Sequence, residues 1–197
     1  MSTGRTVAIL AFDDMEVLDF AGPYEVFNVA GELGEGAPFS VFSVGTTGEP
    51  VVGRGGFTVV PMWSLDDAPA SDLLVVPGGA GARRLLDDER LLAWVRERAA
   101  EVELLMSVCT GALVLGAAGL LRGLPATTHH DAYDELATLS PSTEVRRGQR
   151  FVRSSERVLT SAGVSAGIDA ALHAVEVLAS PRTRDVTVTE MEWGWRS

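Results

Sequence analysis

Residues 102–121 read Val102-Glu103-Leu104-Leu105-Met106-Ser107-Val108-Cys109-Thr110-Gly111-Ala112-Leu113-Val114-Leu115-Gly116-Ala117-Ala118-Gly119-Leu120-Leu121. The run Val102 to Val108 is short and apolar, as a buried strand requires, and Cys109-Thr110-Gly111 interrupts it with small residues. Ala112 to Leu121 is rich in helix formers. The simplest reading is strand, sharp turn, helix. A side chain at that junction stands above the sheet with backbone donors beside it, the geometry of a nucleophile elbow.

Outward from this unit the same alternation repeats. Thr6 to Phe12 has the character of a strand, and Asp14 to Ala30 carries helical spacing through Leu18, Val26 and Phe27, with Gly22-Pro23 expected to break or restart the helix. Phe39 to Val44 and Phe57 to Val60 read as strands joined by a Gly-rich stretch suited to a hairpin. Asp72 to Val76 is a buried-strand run that stops at Pro77-Gly78-Gly79, and helical spacing resumes from Asp88 to Ala100. Downstream, Ala132 to Leu139 suits a short helix and two or three short strands fit between Thr143 and Thr160. A long helix over Val164 to Leu178 and a last one over Arg182 to Trp195 follow. Strands alternating with helices imply crossover connections, hence an α/β fold with a mostly parallel sheet and helices on both faces. Ligands in such sheets bind beyond the carboxyl ends of the strands.

Composition narrows the function. A chain of 197 residues with 46% hydrophobic content is expected to form one domain, residues 1–197, around one core. Its longest apolar stretches fall short of the ~20 residues that span a bilayer, and the N-terminus lacks a basic flank followed by a long apolar region, so a cytoplasmic protein is the expectation. A net charge of −11 opposes binding to a phosphate backbone, so no nucleic-acid or membrane partner is expected. All sixteen basic residues are arginines, which excludes a Walker-type phosphate loop, a Schiff-base lysine and a Ser-Lys hydrolase. The single cysteine excludes an intrachain disulfide and a Cys-rich zinc site.

Cys109 is the first candidate for chemistry, with a thiol pKa expected to be lowered at a helix start; the bland alternative is a small buried hydrophobe. Asp19, between Leu18 and Phe20, is either a desolvated acid able to hold a proton, or an N-cap for a helix beginning at Pro23 or a solvated charge. Gly79 lets backbone N–H groups approach a substrate, or simply closes a tight turn. His129 and His130 are adjacent and point apart, so at most one faces a site. No His-Glu-x-x-His spacing exists and no metal is expected. His173 reads as a satisfied core or surface residue within its helix, and Trp193 and Trp195 as packing or oligomer contacts.

Asp19-Phe20-Ala21-Gly22-Pro23, Pro77-Gly78-Gly79, Ser107-Val108-Cys109-Thr110-Gly111-Ala112, Ala126-Thr127-Thr128-His129 and Gly163-Val164-Ser165-Ala166-Gly167-Ile168-Asp169 together resemble the ThiJ/PfpI superfamily over about Thr6 to Leu178. The resemblance implies a flavodoxin-like sandwich similar to class I glutamine amidotransferases. Within the superfamily the chain looks most like the isonitrile hydratase branch and the amidotransferase-like domains of certain transcription regulators, although no DNA-binding extension is expected after Leu178. By position the resemblance makes Cys109 the nucleophile, Asp19 its acidic partner and Thr110 the residue after the nucleophile, with Gly79 and Thr110 supplying oxyanion-type amides. Protease-like and glyoxalase-like members often carry His directly after the Cys, where this chain has Thr110; the hydratases usually carry Trp where it has His130.

The implied activity is a cofactor-free hydration of small isonitriles to N-substituted formamides. Two alternatives stand beside it. One is glyoxalase-like or amidase-like chemistry using His129 as a base, and the other is a non-enzymatic sensor in which Cys109 is oxidised. The resemblance also implies a homodimer, for which Val17, Leu18, Phe20, Val26 and Phe27 offer more apolar side chains than one helix face needs.

Overall fold

The computed structural model describes residues 4–194. The chain enters the central sheet by β1 (Arg5–Ala11) and crosses through α1 (Val17–Leu33) to β2 (Phe39–Gly45). A small ribbon of β3 (Val51–Val52) and β4 (Thr58–Val59) precedes the edge strand β5 (Trp63–Ser64). Then come β6 (Leu73–Val76), α2 (Glu89–Glu101), β7 (Leu104–Ser107), α3 (Gly111–Ala117), β8 (Pro125–Ala126), α4 (Tyr133–Leu139) and β9 (Glu144–Val145). β10 (Phe151–Arg153), β11 (Val158–Ser161), α5 (Ala166–Leu178) and α6 (Pro181–Glu190) complete it.

The seven main strands run in the order β10-β11-β7-β6-β1-β2-β5, and every neighbouring pair is parallel except the antiparallel edge pair β10–β11. The three central strands explain this order. Val7 to Ala11, Leu73 to Val76 and Leu104 to Ser107 are buried throughout, as strands covered on both faces must be. Two helix groups do the covering: α1, α5 and α6 pack on one another, while α3 packs against α2 and α4. The result is an α/β sandwich with a mostly parallel sheet, as the alternation of runs implied. The segments leaving β1, β6, β7 and β11 converge at the carboxyl end of the sheet, and that convergence positions the site.

Three expectations are corrected. Gly22-Pro23 does not break the first helix, because α1 runs through Pro23 and loses only the bond its missing N–H would have made. Tertiary packing compensates for that loss: a Cβ on Gly22 would sit 3.0 Å from Ile168 Cγ1, so the two helices meet closely here. The hairpin forms within the Gly-rich stretch, β3 with β4, and stands apart from the main sheet, while β2 pairs in parallel with β1 and β5. Finally, Phe20, Val26 and Phe27 belong to the monomer's own core, leaving only Val17 and Leu18 half-buried. The surplus apolar surface lies instead at Val52, Phe57, Val60, Met62 and Trp63, around the ribbon and β5.

At the other end of the chain, Trp193 is tied down within the molecule, its indole Nε1 donating to Asp169 Oδ1 at 2.9 Å; Trp195 lies outside the described residues. His173 stacks on Phe151 with ring centroids 5.1 Å apart.

The last turn of α2 is closed by a residue distant in sequence. The Arg157 guanidinium donates to the carbonyls of Ala99, Ala100 and Val102 at 2.6–3.2 Å, satisfying oxygens that a helix end leaves without partners and placing a cation at the negative end of its dipole. Replacing Arg157 with Met keeps the aliphatic stem and removes these bonds. Urea unfolding is expected to show a loss of about 1–3 kcal/mol, and Arg157→Lys is expected to recover only part of it because an ammonium cannot reproduce the planar fork.

Candidate active site

Two residues beyond β7 the chain turns into the left-handed region. Cys109 has φ +56°, a conformation that costs a non-glycine residue about 1–2 kcal/mol, so the surroundings must hold it there. Its N–H is shared between the carbonyls of Ser161 at 3.2 Å, the last residue of β11, and Ala162 at 3.1 Å, just beyond it. Its carbonyl accepts the Thr128 hydroxyl at 2.8 Å. Two residues on, only glycine fits, because a Cβ on Gly111 would lie 2.1 Å from the Val76 carbonyl oxygen at the end of β6. The elbow is thus wedged between two neighbouring strand ends, and Cys109 is 5% exposed at the floor of a pocket.

Asp19 reaches the same point from the first turn of α1, with no accessible surface. It does not cap a helix at Pro23. Its Oδ2 accepts the Gly78 N–H at 3.1 Å, while Oδ1 is buried without a hydrogen-bond partner among the described residues. Burial pushes the Asp19 carboxyl from its ordinary 3.8 up to about 7, against the opposing pull of the nearby Cys109 thiol and the Gly78 and Val164 amides. Burial also pushes the Cys109 thiol up to about 12, and the Asp19 charge adds to the effect, while the Thr110 and Val164 amides oppose it. The expected lowering of the thiol pKa is therefore overturned. A seven-residue helix start cannot outweigh desolvation and a neighbouring carboxylate. The two groups titrate as a pair, each driven by the same burial towards its neutral form.

Val164 received no role from the sequence. It has φ +51°, an unfavourable conformation for a β-branched residue, and its amide opposes the rise of both the Asp19 and the Cys109 pKa. The available signal was the small-residue run Gly163-Val164-Ser165-Ala166-Gly167 at the start of a helix.

Gly79 and Thr110 adjoin Cys109, but they are largely occupied with each other. The Gly79 N–H donates to Thr110 Oγ1 at 2.9 Å, and that hydroxyl donates to the Gly79 carbonyl at 3.0 Å. The expectation that the Gly79 amide faces substrate is corrected accordingly, and the Thr110 hydroxyl is likewise engaged. The Thr110 backbone amide opposes the rise of the Cys109 thiol pKa.

The pocket has a volume of about 330 Å³ and is lined by Asp14, Glu16, Arg54, Gly79, Ala80, Arg83, Cys109, Thr110, His129, Asp131 and Val164. Ion pairs ring its mouth: Arg54–Glu16 at 2.7 Å, Arg84–Asp14 at 2.9 Å and Arg83–Glu135 at 2.6 Å. His129 forms part of the wall, its ring set against Gly163, where a Cβ would come within 2.2 Å of Cδ2. Its Nδ1 accepts the Asp131 N–H at 3.3 Å, capping the short 3-10 turn His130–Ala132, and no hydrogen bond joins it to Cys109 among the described residues. His130 is mostly exposed and pairs with Asp131 at 2.6 Å. Ligand atoms of His129, His130 and Asp131 lie within 4.8 Å of one another, but His129 Nδ1 is already engaged by the Asp131 amide.

Known proteins are similar to this chain in sequence and fold. The family model described as the DJ-1/PfpI family matches residues 5–177. An isonitrile hydratase from Pseudomonas putida is 36% identical over 187 residues, 95% of this chain and 78% of its own. A glutathione-independent glyoxalase from Caenorhabditis elegans is 26% identical over 159 residues, 78% of this chain and 81% of its own. Among solved structures, a ThiJ/PfpI family protein from Pseudomonas syringae superposes with a TM-score of 0.88 at 30% identity, covering 98% of this chain and 77% of that one. With its elbow cysteine, its strand order and a family match along most of its length, this chain belongs to the DJ-1/PfpI family.

Proposed function

We propose that the protein is a hydratase that converts small organic isonitriles, R–N≡C, to N-substituted formamides without a cofactor. The observation that carries this reading is the buried Asp19 carboxyl, raised to about 7, beside the Cys109 thiol. The likeness to the isonitrile hydratase of Pseudomonas putida supports it.

The chemistry needs a nucleophile and one proton that can move to carbon and back. With the proton of the pair on Asp19, the Cys109 thiolate attacks the terminal carbon, and Asp19 delivers its proton to that carbon, giving a neutral thioimidate, R–N=CH–S–Cys. Asp19, now ionised, takes a proton from water as the hydroxide adds to the same carbon. The carbon–sulfur bond then breaks, the remaining water proton passes to nitrogen, and formamide leaves with the thiolate and the Asp19 proton restored. The Thr110 and Val164 amides stabilise the sulfur while it is anionic. Aldehyde rearrangement would need a base at the thiol, and His129 is instead bonded to Asp131. The cytoplasm is the proposed location, and no helix among the described residues is long and apolar enough to cross a membrane. A homodimer is the proposed assembly, with the exposed Val60, Met62 and Trp63 its best apolar contact.

An absorbance assay with an alkyl isonitrile beside methylglyoxal tests the reading. Turnover of the isonitrile is expected and Cys109→Ala is expected to abolish it with the fold intact; turnover of methylglyoxal alone overturns the proposal. The buried acid also leaves a thermodynamic mark. Because its folded pKa lies above the ordinary 3.8, Asp19 stabilises the fold when protonated, and that contribution is lost as pH rises through about 7. Asp19→Asn is therefore expected to lose turnover yet show a shallower decline in thermal midpoint between pH 4 and pH 8 than the unmodified protein. Light scattering is expected to give twice the mass of one 20.9 kDa chain, and a single-chain mass overturns the dimer.

A further inference from the structure

Thr128 lies wholly buried in the segment that follows β8, outside the pocket wall, and takes no part in the steps above. Its hydroxyl donates to the Cys109 carbonyl at 2.8 Å. That carbonyl and the Thr110 N–H are two ends of one trans peptide plane and point in opposite directions. Whatever grips the oxygen therefore aims the hydrogen. The competing grip is weak, since the Ala112 N–H approaches the same oxygen only at 3.4 Å. Thr128 is itself anchored, because the neighbouring Thr127 N–H donates to Thr160 Oγ1 of β11 at 2.9 Å, so its segment is fixed to the sheet.

We propose that Thr128 is a positioning residue for the nucleophile: by holding the Cys109 carbonyl, its hydroxyl keeps the Cys109–Thr110 peptide turned so that the Thr110 N–H faces the sulfur. The inference rests on the reading of Cys109 as a nucleophile but not on the identity of its substrate. Without the hydroxyl, the left-handed elbow loses its strongest carbonyl restraint and the peptide can rotate, carrying the N–H away from the thiolate. The thiolate then loses a donor, and its formation shifts to higher pH.

The chain has one cysteine, so alkylation by iodoacetamide reports on Cys109 alone and needs no turnover. Thr128→Val preserves shape and removes the donor, whereas Thr128→Ser keeps the donor and removes a methyl group. In Thr128→Val the pH–rate profile for alkylation is expected to move up by about one pH unit, with kcat for the isonitrile falling about tenfold and KM little changed. Thr128→Ser is expected to keep the original profile. An unmoved profile in folded Thr128→Val overturns the proposal, as does an equal shift in Thr128→Ser. If Thr128→Val does not fold, the comparison of Thr128→Ser with Thr128→Ala decides: a shift in Ala but not in Ser is expected, and equal profiles overturn it. Absence of isonitrile turnover alongside the expected alkylation profiles would sink the hydratase reading alone.

Discussion

A residue with a side chain stands in the left-handed region two residues beyond β7, and the rest of the site is arranged around keeping it there. A single contact could not do so. The backbone of Cys109 is held from the side of β11 through its N–H, from the segment after β8 through its carbonyl, and from β6 by the close fit at Gly111. These supports come from parts of the chain far apart in sequence, which a parallel sheet brings together because its crossovers deliver successive strand ends to one side. The elbow is therefore a product of the whole sheet, and its strain is borne by the most buried strands in the molecule.

The same burial sets the electrostatics. Asp19 is carried into the core by the first turn of a helix whose neighbouring positions are packed, and no arginine accompanies it: Arg54 and Arg84 stay at the surface with Glu16 and Asp14. A carboxyl left without a cation in an apolar setting keeps its proton far more readily, and it discourages the adjacent thiol from losing its own. Solvation is replaced by three amides, those of Gly78, Thr110 and Val164. The fold thus holds proton and nucleophile together, Asp19 wholly buried and Cys109 nearly so at the floor of the pocket.

Much of this could be read from the residues. The run Val102 to Val108 followed by Cys109-Thr110-Gly111 located the elbow, and the alternation of apolar strands with helical spacing gave the parallel sheet, because central strands covered on both faces need continuous apolar runs. What escaped depends on contacts between distant segments. Pro23 reads locally as a breaker, and only the close meeting with Ile168 shows why the helix survives it. Gly79 reads as a free donor, and only the spatial neighbour Thr110 shows that its N–H is engaged. The thiol's rise reversed the local expectation from a helix start, since desolvation depends on the whole enclosure. Val164 escaped because nothing in a β-branched residue's identity announces a positive φ.

The ring of ion pairs at the pocket mouth has a different character from the floor. Arg54–Glu16, Arg84–Asp14 and Arg83–Glu135 link the segments following β1, β3 and β6 with α4, and apart from Glu16 their side chains are substantially open to water. Pairs of that kind are each worth little and are weakened by dissolved ions, whose screening length is about 8 Å at physiological ionic strength. Desolvation, the main influence on the buried carboxyl and thiol, is untouched by dissolved ions, whereas the Glu16 charge felt by Asp19 comes from the mouth itself. Salt therefore acts first on the charged rim and reaches the floor only through Glu16.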